Sequence, residues 1–244
     1  MKLSYLSYFF TYETHIPDGI GFALFGPWHL LWLSVIFAIC VRYVWIYKKG
    51  DERKKRRMDG LTACSLVVWI VVRAIYIAVI HEAFLYELPF HLCSMAGILC
   101  AVHCLTKWKW LGQVLYTICL PGTVLALLFP NWNFYPVIHF ITLEGFLFHM
   151  GIVLYVAGKL AKLWQVVLFL TAVVIPIYWF DKRYDVNYMF VNWPSAGSPL
   201  VWLADRMGNP GYLTGYAALV FLCMLLMDVG YLMVAGRRKQ KLFF

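Results

Sequence analysis

Apolar residues run almost without interruption through seven stretches of the chain, separated by short polar connections. The stretches begin near Phe22, Leu61, Leu88, Trp110, Pro136, Leu163 and Gly211, and end near Tyr47, Phe84, Thr106, Phe129, Gly158, Phe180 and Ala235. A helix needs about 20 mostly apolar residues to cross a bilayer, and these runs are of that order. None has the alternation of a barrel strand, and backbone amides in hydrocarbon must be bonded within their own segment. The pattern predicts an all-α polytopic membrane protein, a single domain over residues 1–244 with seven spanning helices. The longest connection, residues 181–210, interleaves Trp193, Trp202, Pro194, Pro199 and Gly208. It reads either as an ordered cap over the bundle mouth or as a solvated loop anchored by its aromatics.

Charge placement orients the bundle. Most of the 21 basic residues fall on one side: Lys48 to Arg57, Lys107 and Lys109, Lys159 and Lys162, and Arg237 to Lys241. The positive-inside rule then puts the N-terminus outside and the C-terminus in the cytoplasm. The net charge of +9 is accounted for by these flanks, which suit anionic lipid headgroups better than nucleic acid. With 63% apolar residues and a mean hydropathy of +0.72, the chain could not hide its hydrocarbon surface as a soluble domain.

Composition narrows the chemistry further. All seven cysteines lie inside predicted spans without CxxC or HExxH spacing, so neither a disulfide framework nor a metal site is expected, and no cofactor is implied. The informative residues are the ionisable groups at membrane depth: Arg73, His91, His139, Glu144 and His149. Counted from the basic ends of their helices, Arg73, His91, Cys93, Glu144 and His149 share a layer less than about 10 Å thick. Cys93 and His149 have the residue types of a nucleophile–base pair, and His91 with His149 offers a route that needs no thiol. Arg73 suits a phosphate, or else pairs with Glu144. Gly97 and Gly145 lie on small-residue stripes that let helices approach closely.

The segments Leu88-Pro89-Phe90-His91-Leu92-Cys93, Leu127-Leu128-Phe129-Pro130, Phe146-Leu147-Phe148-His149 and Asn187-Tyr188-Met189-Phe190 occur in an order that resembles the YwaF family of bacterial integral membrane proteins. That family is in turn similar to the animal transmembrane-protein-164 acyltransferases. The resemblance implies a multi-pass protein of the bacterial cytoplasmic membrane that moves acyl chains between phospholipid and lysophospholipid. One departure concerns the nucleophile: the animal proteins carry Pro-Cys-His where this chain has Pro89-Phe90-His91.

The leading expectation is an acyltransferase with Cys93 as nucleophile, His149 as base and His91 beside the carbonyl. Arg73, Glu144, His139, Asn187 and Tyr188 would contact the substrate. Membrane phospholipid is the expected partner, and a homo-oligomer is compatible with the sequence. The rival expectations are a lipid or small-molecule transporter using the same polar residues, and a binding protein acting through the loop that follows Asn187.

Overall fold

The computed structural model describes residues 3–80, 88–156, 163–195 and 198–240. The predicted span ends at Phe84 and Gly158, and Lys159, Lys162 and Lys241, lie outside these residues. Helices dominate, and no strand occurs among the described residues. By length and composition, Pro27–Lys49, Glu52–Ile80 and Lys109–Leu128 can cross a membrane; Leu92–Thr106, Phe140–Val156 and Tyr212–Leu226 are shorter apolar helices.

Helix α1 (Pro27–Lys49) starts with proline at its first position, where the missing amide costs nothing, and ends in Lys48 and Lys49. Helix α2 (Glu52–Ile80) begins nine residues before the apolar run that marked its span. Asp51 accepts the Lys54 amide at 2.7 Å, and Glu52 pairs with Lys55 at 2.9 Å, so the basic stretch is the helix's own first turns. Helix α3 (Leu92–Thr106) starts later than its run because Pro89 and the extended His91 precede it.

The fourth run is broken internally. Helix α4 (Lys109–Val114) passes through a π-helical turn, Leu115–Cys119, into α5 (Leu120–Leu128). Pro121 has no amide to donate, and its ring excludes the carbonyl one turn back, so the widened turn falls where the regular ladder cannot continue. Helix α6 (Phe140–Val156) forms the centre of the bundle, with most of its residues buried. It packs against α1, α2, α3 and α5. Between apolar helices in lipid there is little hydrophobic gain from this contact, and close packing supplies the attraction. Gly97 of α3 receives the ring of Phe148, Gly145 receives the indole of Trp132, and Gly151 receives Leu66.

Helix α7 (Leu163–Tyr184) contains Pro176, and α9 (Tyr212–Gln240) closes the described chain. Between them the chain forms an ordered cap. It includes α8 (Pro199–Met207), whose first turn is capped by Ser198. Asn192 donates to the Val186 carbonyl at 2.9 Å, Asn209 to the Asn192 carbonyl at 2.9 Å, and the Tyr212 hydroxyl to the Phe190 carbonyl at 2.7 Å. These bonds hold Met189 and Phe190 in successive left-handed conformations, with φ of 53° and 57°. Each such residue without a glycine costs about 1–2 kcal/mol.

Candidate functional site

A cavity of about 1380 Å³ lies between α2, α3, α5, α6, α7 and α9, with the cap as part of its wall. Its lining is chiefly apolar. Leu125, Ile175, Trp179 and Phe221 belong to it and are also exposed on the outer surface of the bundle, so the cavity has an apolar lateral rim. The expected polar layer forms one side: Arg73, His91, Cys93, Glu144 and His149 all line this space.

Arg73 of α2 donates from Nη1 to the Glu144 carboxylate of α6 at 2.7 Å. A charge at this depth is tolerable only with such a partner, and the pair fastens two central helices together. His91 stands at the N-cap of α3, its ring 4.9 Å from that of Tyr188 and 6.0 Å from that of Phe190. It lies within electrostatic range of both Arg73 and His149.

His149 carries the clearest chemical instruction. Its Nδ1 lies 2.6 Å from the Gly145 carbonyl one turn earlier on α6. A carbonyl only accepts, so Nδ1 holds the proton, and in the neutral ring Nε2 keeps a basic lone pair. Nε2 has no partner among the described residues and is not among the enclosed polar atoms, so it opens on the cavity. Trp132 packs over the ring at 5.0 Å and holds its plane, while glycine at 145 leaves room for that indole.

Cys93 lines the cavity as the second residue of α3, and its thiol lies near Thr123, Cys119 and Tyr216. No hydrogen bond joins it to His149 among the described residues. His139 is buried outside the cavity: Nε2 donates to the Thr11 carbonyl at 2.9 Å, and Nδ1 accepts the Ile141 amide at 3.0 Å. Both nitrogens are engaged in pinning the N-terminal segment to the start of α6. Asn187 accepts the amides of Asn192 and Trp193 and donates to the Trp193 carbonyl, so its side chain organises the cap from within. The Tyr188 hydroxyl accepts the Leu88 amide at 2.9 Å, which ties the cap to the approach of α3.

Ser94, Asn131 and Trp132 also line the cavity, beyond the residues that the sequence marks as candidates. Ser94 follows His91 by one helical turn, a spacing that could have drawn attention to it. Trp132 sits in the connection before α6 and gave no comparable signal. Among the described residues, no group of three or more histidine, cysteine or acidic side chains is placed to hold a metal ion.

No curated protein and no solved structure matches the chain. A family model does match, over residues 24–228, a range that takes in every residue of the polar layer. The chain therefore belongs to the TMEM164 family.

Proposed function

We propose that this protein is an integral membrane acyltransferase or transacylase acting on phospholipid and lysophospholipid. In this reading it crosses the bacterial cytoplasmic membrane seven times, with its N-terminus outside, and belongs to the YwaF branch of the family. The observation that carries the reading is His149: a buried imidazole with Nδ1 committed to a backbone carbonyl and Nε2 presented to a large apolar cavity. Such a group is a general base in a space suited to acyl chains.

The chemistry balances without a cofactor. His149 Nε2 takes the proton of an acceptor hydroxyl as that oxygen attacks the acyl carbonyl of a donor ester. The tetrahedral intermediate collapses, the donor's alkoxide leaves, and His149 returns the proton to it. His91 borders the reacting carbonyl, and Arg73 with Glu144 forms the polar wall against which the headgroup lies. Cys93 offers a two-step route through a thioester: its thiolate displaces the donor's alkoxide, which takes up the thiol proton, and the acceptor hydroxyl then displaces the thiolate, which regains a proton.

The test is mass spectrometry of purified protein in nanodiscs given a defined diacyl phospholipid and isotope-labelled lysophospholipid. Label in diacyl product with the wild type, lost in His149→Ala, supports the reading. Absence of product from the wild type overturns it, and unaltered lipid crossing the bilayer would assign transport instead.

A further inference from the structure

Helix α3 enters the cavity by its N-terminus. Leu88, Pro89, His91, Leu92, Cys93 and Ser94 all line the space, so the cavity wraps around the first turn. The first intrahelical bond runs from the Met95 amide to the His91 carbonyl at 3.0 Å. The amides of Leu92, Cys93 and Ser94 precede it and donate to no acceptor among the described residues, and no side chain caps them. A helix start normally satisfies these donors with a Ser, Thr, Asp or Asn cap; here the cap position holds His91, whose ring lies against Tyr188 and Phe190. Converging donors and the positive end of the helix dipole suit a developing negative charge.

An uncapped helix start would mean little alone. The second observation is His149, only 8% exposed, with Nε2 open to the same cavity and without a described partner. His91 ties the two together, being both the cap residue of α3 and an electrostatic neighbour of His149.

We propose that the Cys93 and Ser94 backbone amides form the oxyanion hole of the transfer reaction, so that residue 93 acts through its N–H and not through its thiol. This rests on the acyl-transfer reading. When His149 removes the acceptor's proton and the acceptor oxygen bonds to the acyl carbon, the carbonyl π pair moves onto oxygen. The two amides donate to that oxygen until the C–O bond of the donor breaks and the carbonyl re-forms. A donor fixed in the backbone needs no reorganisation as the charge appears. The absence of a hydrogen bond between the thiol and His149 among the described residues fits this assignment, since the amide of Cys93 borders the same cavity without an acceptor.

The experiment separates the amide from the thiol. Cys93→Ala keeps the N–H and removes sulfur; Cys93→Pro removes both, at a first-turn position where a helix tolerates proline. The two are compared for acyl transfer in nanodiscs, with thermal unfolding as the check on folding. A third variant, Cys93→Ala with the amide at residue 93 replaced by an ester, differs from Cys93→Ala by one N–H and covers the case in which proline prevents folding. Loss of one oxyanion donor costs about 10²–10³ in rate, so the proline and ester variants are expected to fall that far below Cys93→Ala. Equal rates in Cys93→Ala and the ester variant, with the wild type active, overturn this inference alone. If all three variants are dead the thiol is the nucleophile, and the inference fails. A wild type that transfers no acyl group overturns the inference together with the function on which it rests.

Discussion

Two polar clusters on the same helices invite comparison. In one, His149 of α6 lines the cavity together with the first turn of α3; in the other, nearer the basic end, His103 of α3 bonds through Nδ1 to the Tyr155 hydroxyl of α6 at 2.8 Å. Both histidines are buried, and both lie between the same two helices. Around His103 the packing is close: a Cβ added at Gly112 would stand 2.9 Å from its Nε2. Around His149 there is room for a ligand. Residue type and burial are therefore shared, and what separates His149 from a structural imidazole is an unengaged nitrogen beside open volume. His29 makes the same point on α1, with Nδ1 accepting the Phe25 amide and Nε2 bonded to the Leu127 carbonyl.

The strongest way to break this contrast is His149→Ala. It is expected to lower acyl transfer by about 10²–10⁴, the usual weight of a general base, with little loss of fold. An unchanged turnover of labelled lysophospholipid would remove His149 from the chemistry. Next comes Glu144→Ala, which breaks the 2.7 Å pair with Arg73 between α2 and α6 and is expected to cost about 3 kcal/mol of stability. The double variant with Arg73→Met should recover much of that loss in a thermal or denaturant assay; no recovery would mean that the pair is not the reason for the damage.

A smaller effect is expected from Gly145→Ala. The new methyl would approach Trp132 Cε2 at 2.7 Å and displace the indole that packs on the His149 ring, for about 1–3 kcal/mol of stability and a measurable fall in rate. Stability lost with the rate intact would show that Trp132 does not set the plane of His149. Last, Tyr155→Phe removes the hydroxyl from His103 and is expected to cost about 1 kcal/mol while leaving turnover at the wild-type level. A large rate loss there would erase the distinction between the clusters.

The polar layer was legible in the sequence because ionisable residues are rare at that depth and helical rise converts their positions into height. Facing was only half legible. His139 and His149 lie on the same helix or its start, and nothing local distinguishes them; the carbonyls of Thr11 and Gly145 do, and Thr11 is reached only through the tertiary fold. The sequence predicts Asn187 as a substrate contact, and in the fold its amide is bonded to backbone groups five and six residues ahead. The broken fourth run had its cause in view at Pro121, whereas the form of the break depended on how α4 and α5 pack. The uncapped start of α3 was hidden by the same limit, since an unsatisfied amide is recognised only when all its neighbours are known.

The lateral rim formed by Leu125, Ile175, Trp179 and Phe221 sets a thermodynamic boundary condition on selectivity. Under the proposed function, an acyl tail passing from the bilayer into this space exchanges one hydrocarbon environment for another, so chain burial contributes almost no net affinity. Discrimination among tails then falls to shape, to double-bond bends that fit or clash with the walls. Under the proposed function, recognition of the ester and its headgroup falls to the few polar residues that line the cavity, Arg73, His91, Glu144 and His149 among them.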